Sequence, residues 1–176
     1  MQNPFTLTFG KSPLEPVERP LPTMEIVDTF TAETVNQQMF IITGVRGSGK
    51  TVMMTEIARR LREREDWVVI ELNPATDLLQ GMLAKLNSNK VCAAIIKSAK
   101  IDLSFFGFGV AIEGVPPLTD TETAIITILE KLKKQDKRLL ITIDEVTNND
   151  YMKVFAGSFQ IFVRQDLPVF LLATGL

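Results

Sequence analysis

The residues best suited to chemistry form the octapeptide Gly44-Val-Arg-Gly-Ser-Gly-Lys-Thr51. Its spacing, Gly-x-x-x-x-Gly-Lys-Thr, is typical of a loop that wraps the phosphates of a nucleotide. Glycines let backbone N–H groups approach the phosphates, and the following helix presents its positive end to them. Lys50 is expected to bridge β- and γ-phosphate oxygens, and the Thr51 hydroxyl to ligate Mg²⁺. The nucleotide-binding residues predicted on this basis are Gly44, Val45, Arg46, Gly47, Ser48, Gly49, Lys50, Thr51 and Val52.

Two adjacent carboxylates, Asp144 and Glu145, follow the apolar run Leu139-Leu-Ile-Thr-Ile143. A buried strand that ends in this way carries carboxylates to its carboxyl end. There Asp144 would hold Mg²⁺, and Glu145 would be the base for a water that attacks the γ-phosphate.

Two further side chains have open roles. Thr174 ends the next apolar run. Its hydroxyl either contacts the γ-phosphate or the attacking water, or has no role beyond ending a strand. Arg46 either contacts phosphate or is a solvated loop residue.

The composition excludes several other chemistries. The 176 residues include no histidine and a single cysteine, Cys92. A histidine base, a His-ligated metal, a Ser-His triad, a zinc cluster and an internal disulfide are therefore excluded for these residues. We expect Cys92 to be a buried small hydrophobe.

Charge and hydropathy narrow the expected partners. The formal net charge of −2 gives no bulk attraction to nucleic acid or to an anionic membrane. The basic run at residues 131–138 is interpreted as cations that favour a helix end, rather than as a nucleic-acid patch. No apolar stretch approaches the roughly 20 residues of a membrane span, and no apolar block follows a basic start. We therefore expect a cytoplasmic location without membrane contact.

The elements that must position these residues alternate between strands and helices. Near-continuous apolar strands separated by helical patterns predict an α/β fold, in which a mostly parallel sheet is covered by helices on both faces. Strands are predicted at residues 39–43, 67–72, 138–145 and 169–174. Helices are predicted at about 23–31, 77–86, 91–99 and 120–134, along the stripe Met54, Ile57, Ala58 and Leu61, and along Phe155, Phe159 and Phe162.

A chain of this length is expected to form one domain. Residues 1–22 contain five prolines and are predicted to form a Pro-rich arm. The core then occupies residues 23–176, with an insertion at about residues 87–115.

Two local patterns predict details of that insertion and of the helix after it. Alternation at Ile101, Leu103 and Phe105 predicts an inserted β-hairpin. The sequence Thr119-Asp-Thr-Glu122 predicts a capping box at the start of the following helix.

Together with the Ala-Thr-Gly at residues 173–175, the loop at 44–51 and the strand that ends in Asp144 and Glu145 resemble the AAA+ ATPases. The chain looks most like bacterial and archaeal ATP-binding proteins of the archaeal-ATPase and origin-recognition groups, over about residues 1–176. The resemblance implies a three-layer α-β-α fold with sheet order 5-1-4-3-2. It also implies that Lys50 and Thr51 bind phosphate and Mg²⁺, that Asp144 holds Mg²⁺, that Glu145 activates water and that Thr174 is the first sensor.

The chain ends soon after Thr174, before the fifth strand, the arginine-finger region and the helical lid that the resemblance implies. We therefore expect it to be the nucleotide-binding core of a longer protein. Without a fifth strand, the strand at 39–43 is expected to be an unpaired apolar edge that favours self-association. A DNA partner follows from the resemblance alone.

Two functions stay open at this point. The first is an ATPase that uses Mg²⁺ and Glu145; the alternative is a nucleotide-dependent switch or interaction module without hydrolysis. A GTPase is disfavoured because the patterns Asn-Lys-x-Asp and Asp-x-x-Gly are replaced by Asn89-Lys-Val-Cys92 and Asp144-Glu-Val-Thr147. A small-molecule kinase fits less well, because adjacent carboxylates suit water activation better than the binding of a phosphate acceptor.

Overall fold

A single parallel sheet organises the chain in the computed structural model, which describes residues 20–109 and 111–175. Its strands are β1 (Met39–Thr43), β2 (Trp67–Leu72), β3 (Arg138–Ile143) and β4 (Val169–Gly175), in the order β1-β4-β3-β2. Every pairing is parallel. The predicted parallel sheet with β4 beside β1 is therefore confirmed.

Helices cover both faces of the sheet. Side chains of β3 and β4 alternate between two cores, so that Leu140 and Phe170 pack on one side while Leu139 and Ile141 pack on the other. The helices are α1 (Pro20–Thr31), α2 (Lys50–Arg62), α3 (Leu78–Ser88), α4 (Lys90–Ser98), α5 (Thr121–Lys133) and α6 (Asp150–Arg164). The first core includes residues of α1 and α2, and the second includes residues of α3 to α6, which gives the three α-β-α layers.

The predicted helical stripes are confirmed as buried faces. The α2 stripe consists of Met54, Ile57, Ala58 and Leu61, as the spacing indicates. Cys92 on α4 is fully buried, and burial raises the pKa of its thiol to about 12. Cys92 is therefore a packing residue, as predicted. No helix in the described part of the chain is both long and apolar enough to cross a membrane.

The inserted hairpin predicted within residues 87–115 is wrong. Residues 101–109 and 111–120 contain a short 3-10 turn at Ser104–Phe106 and no strand. Ile101 and Leu103 are buried, and so is the carboxylate of Asp102 between them. That carboxylate accepts hydrogen bonds from the N–H groups of Ser104, at 2.9 Å, and Ile112, at 2.8 Å. Hydrogen bonds to the Asp102 side chain thus hold this loop together, where hydrogen bonds between two strands were expected.

The predicted capping box is wrong by one residue. Asp120, not Thr119, caps α5, and its carboxylate accepts a 2.7 Å hydrogen bond from the N–H of Thr123. Glu122 accepts a 2.5 Å hydrogen bond from the Ser158 hydroxyl of α6 instead of reaching back to the cap. The carboxylate expected to cap a helix therefore joins two helices.

Helix α1 begins at Pro20, three residues before its predicted start. Proline suits the first turn of a helix, where its missing N–H has no intrahelical partner to lose. The remaining part of the predicted arm, residues 1–19, lies outside the described residues.

Three cations of the basic run at residues 131–138, which begins in the last turn of α5, make contacts within the fold. Lys133 donates a 2.6 Å hydrogen bond to the carboxylate of Asp166, and Lys137 donates to the Glu65 carbonyl at 3.1 Å. The Arg138 guanidinium donates to the Phe30 carbonyl at 2.6 Å. These cations join neighbouring elements at the amino-terminal edge of the sheet.

Candidate active site

The predicted site residues converge at the carboxyl edge of the sheet. The loop of residues 44–49 follows β1, Asp144 follows β3, and Thr174 lies near the end of β4. These strands are parallel and adjacent, so their carboxyl ends meet. The sheet thus brings together segments that are far apart in sequence, such as those of Thr51 and Asp144, which are 93 residues apart.

Two glycines shape the loop after β1. Gly44 has φ 155°, and a Cβ atom there would lie 2.9 Å from the Ser48 Oγ. Gly49 has φ 84° and precedes α2, and no side chain caps that helix. The first turn of α2 therefore has the backbone N–H groups and positive end that bind anions.

Lys50 folds back over this loop. Its Nζ donates to the carbonyl of Gly44 at 2.6 Å and to that of Val45 at 3.1 Å. Val45 is 77% exposed, and Arg46 is also exposed at the tip of the loop. The Lys50 ammonium group thus lies inside the curve of the loop.

Thr51 and Asp144 make the contact that joins the two motifs. The Thr51 hydroxyl lies 3.0 Å and 3.3 Å from the two carboxylate oxygens of Asp144. A hydroxyl and a carboxylate are ligands that suit Mg²⁺, which usually takes one or two carboxylates and completes its shell with phosphates and waters. The described residues contain no cluster of three or more His, Cys, Asp or Glu side chains that could hold a metal ion.

Glu145 has an unusual backbone. Its φ is 53°, in the left-handed region, and its side chain is exposed. Its N–H donates to the Thr174 hydroxyl oxygen at 2.9 Å and to Asp144 Oδ1 at 3.1 Å. Thr174 is fully buried, and its own hydroxyl donates to Asp144 Oδ1. The Asp144 carboxylate, the Glu145 backbone N–H and the Thr174 hydroxyl are therefore in direct contact.

Sequence reasoning missed one residue at this edge. Asn149 caps α6, where its Oδ1 accepts a 2.8 Å hydrogen bond from the N–H of Met152. Its Nδ2 also donates to the Pro74 carbonyl at 2.8 Å and so ties the loop after β3 to the loop after β2. An asparagine ahead of a helical pattern was a usable signal for the cap. The contact with Pro74 has no signal in the sequence.

The parallel sheet, its order and the Gly-rich loop after β1 define the core of a P-loop nucleotide-binding protein. The chain belongs to the family described as an ATPase domain predominantly from Archaea, whose model matches residues 27–162. No curated protein matches the chain.

One solved structure similar to this chain is the crystal structure of Cdc6p from Pyrobaculum aerophilum. The TM-score is 0.54 at 14% sequence identity, so this likeness shows the fold alone. The aligned region covers 96% of this chain and 41% of that chain. The chain thus spans about two fifths of the length of the protein that it resembles in fold.

Proposed function

We propose that this chain binds Mg-ATP through residues 44–52 and that, in the intact protein, ATP is hydrolysed to ADP and phosphate by water that Glu145 activates. The contact between Thr51 and Asp144 supports this proposal most directly. A hydroxyl from one motif and a carboxylate from another lie 3.0 Å apart although 93 residues separate them in sequence. Membership of an ATPase family agrees with it.

Each residue has a role that its position allows. Lys50 and the N–H groups at the start of α2 bind phosphate oxygens. To do so, the Lys50 ammonium group must replace its hydrogen bonds to the carbonyl groups of Gly44 and Val45 with hydrogen bonds to phosphate. Thr51 and Asp144 hold Mg²⁺, which when bound neutralises charge on the phosphates. The Glu145 carboxylate is exposed and accepts the proton of a water molecule as that water attacks the γ-phosphate.

Calorimetric titration with Mg-ATP, Mg-ADP and Mg-GTP tests the binding part of the proposal. We expect adenine-selective binding by the wild-type chain and its loss in Lys50→Ala, because that variant removes the charge that lies inside the loop. Lys85→Ala, which removes an exposed cation on α3, is the matched control and should bind as wild type does. A folded wild-type chain that binds no nucleotide would contradict the proposal.

A switch or interaction module without hydrolysis is the alternative outcome. This alternative would be favoured if a longer protein that contains this chain bound Mg-ATP tightly and did not hydrolyse it. A nucleic-acid partner stays a prediction of the family resemblance.

A further inference from the structure

Asn149 joins two loops at the carboxyl edge of the sheet and uses both ends of its side-chain amide. Its Oδ1 accepts the N–H of Met152 at 2.8 Å and so caps α6. Its Nδ2 donates to the Pro74 carbonyl at 2.8 Å and to the Thr147 hydroxyl oxygen at 3.0 Å. A side-chain amide has one oxygen and two N–H groups, so here the oxygen serves the helix and the N–H groups serve the loops.

The Pro74 carbonyl belongs to a tight turn that follows β2. The Asn73 Oδ1 accepts the N–H of Ala75 at 2.9 Å, and the Asn73 carbonyl accepts the N–H of Thr76 at 3.3 Å and its hydroxyl at 3.1 Å. Local bonds of this kind close a turn, and the proline ring fixes its own φ. Pro74 therefore presents its carbonyl from a well-held turn, which suits it to anchor Asn149.

The segment that is anchored in this way carries Glu145. Residues 144–149 connect β3 to α6 and form neither helix nor strand. In the sheet, β3 lies between β4 and β2. A backbone contact on the β4 side joins the N–H of Val146 to the Thr174 carbonyl at 2.8 Å, and Asn149 makes the contact on the β2 side. The segment is thus tied toward both neighbours of β3.

We infer that Asn149 is a positioning residue for hydrolysis, because its donor contact with Pro74 holds the segment that aims the Glu145 carboxylate. Its cap on α6 is a separate contact of the same side chain, with a structural role. Without the donor contact, the segment would lose its tie toward β2, and the Glu145 side chain would occupy a wider range of positions. This inference rests on the proposed ATPase function.

Asn149→Asp and Asn149→Ser separate the two contacts. Aspartate and serine both cap helices well, so each can still accept the N–H of Met152. An ionised aspartate has no proton to donate, and serine is too short to reach Pro74. Asn148→Asp is the control for charge, because it adds a carboxylate at an exposed neighbour. Asn89→Ser is the control for the cap, because Asn89 caps α4.

Hydrolysis, binding and hydrogen exchange are measured for each variant in the full-length protein that contains this chain, after thermal unfolding has shown that the variant folds. We expect both Asn149 variants to lower the single-turnover rate by about 10- to 100-fold, since displacing a reacting group by about 1 Å can cost about 100-fold. Affinity for Mg-ATP should be unchanged, because the residues that bind phosphate and Mg²⁺ are intact. The N–H groups of Glu145 and Val146 should exchange about fivefold faster, the size expected for one lost hydrogen bond. Both controls should behave as the wild type does.

A merely structural role for Asn149 would give different results. Unchanged exchange at Glu145 and Val146 in both Asn149 variants would overturn the inference, and so would a loss of Mg-ATP affinity as large as the loss of rate. In a Glu145→Gln background, Asn149→Ser should cause little further loss of rate, since residues that act through one another are not additive. A full further loss in that background would also overturn the inference.

The wild-type protein separates the inference from the proposal beneath it. If it binds no nucleotide, the proposed function is removed, and the inference with it. If it binds nucleotide without turnover, the exchange of the Glu145 and Val146 N–H groups in the Asn149 variants decides the inference.

Discussion

Glu145 differs from the other residues that adopt a left-handed backbone without being glycine. Among the described residues, Lys100, Asp136 and Asp166 share its positive φ, and each follows the end of a helix. There the left-handed residue lets the N–H groups that follow the helix donate hydrogen bonds to its last carbonyl groups. Glu145 instead follows a strand, at the edge where the site residues meet. Such a backbone costs about 1–3 kcal/mol and persists where surrounding contacts hold it. Thr174 and Asp144 provide those contacts.

Glu145→Gln is expected to separate binding from hydrolysis in the intact protein. Glutamine has nearly the same shape but cannot accept a proton from water, so the rate of hydrolysis should fall by about 100-fold or more. Mg-ATP binding should persist, because Thr51, Asp144 and Lys50 are unchanged. Phosphate release and calorimetry measure the two properties. Glu130→Gln, at an exposed carboxylate on α5, is the control. An unchanged rate in Glu145→Gln would show that another group activates water.

For single residues, the sequence predicted which side chains lie at the candidate site but not their backbone conformation or burial. The spacing of the octapeptide indicates Lys50 and Thr51, and an apolar run before two carboxylates indicates Asp144 and Glu145. The positive φ of Glu145 has no signal, because glutamate has no intrinsic preference for it. The burial of the Thr174 hydroxyl depends on β3, which is about thirty residues away in sequence.

The start of helix α5 gives a prediction at the scale of one element. The cap is the Asp120 carboxylate, which accepts the Thr123 N–H. Asp120→Ala should therefore lower the free energy of unfolding by about 1 kcal/mol, within the range of lost helix caps. Thr119→Ala should have little effect, although Thr119 is the cap in the predicted capping box. Denaturant unfolding measures both variants, and a larger loss for Thr119→Ala would restore the original prediction.

The same cap has a defined pH dependence. The hydrogen bonds from Thr123 lower the pKa of Asp120 below its ordinary value. A lowered pKa in the folded state means that the stabilisation is present above the ordinary carboxyl pKa and is lost as the pH falls below it. Asp120→Asn keeps a cap without a titrating group, so its stability should change less with acid than that of the wild type. It is the matched control for the cap.

Helices and strands whose ends are marked by nearby residues were predicted well. Segments held together by contacts between residues far apart in sequence were not. The bounds of β1 and β2 agree with the prediction because a continuous apolar run ends at a glycine or at Asn73-Pro74. The loop after α4 has the alternation of a strand. A buried carboxylate, Asp102, and its partner Ile112 replace the ladder there, and neither burial nor partner follows from alternation.

For the whole molecule, the described sheet has two edge strands, β1 and β2, and of these β1 has no charged residue. The outer side of β1 pairs with no strand in residues 20–109 and 111–175. Phe40 and Ile42 pack toward α1 and α2, whereas Met39 and Ile41 are 44% and 53% exposed. The strand Met-Phe-Ile-Ile-Thr has no charge and no proline, the features that usually protect an edge from another chain.

When the chain is studied alone, we expect β1 of a second copy of the chain to pair with this edge. An uncharged strand is complementary to itself, so two β1 strands can pair about a two-fold axis. Ile41→Lys should reduce association, because pairing would then bring the new charges together and bury them. Val154→Lys, at an apolar residue of α6 that is 59% exposed, is the control and should not change association. Light scattering across a concentration series measures the mass of each variant. A wild-type chain that stays monomeric at high concentration would contradict the prediction, and equal effects of both lysines would show that association depends on overall charge rather than on β1.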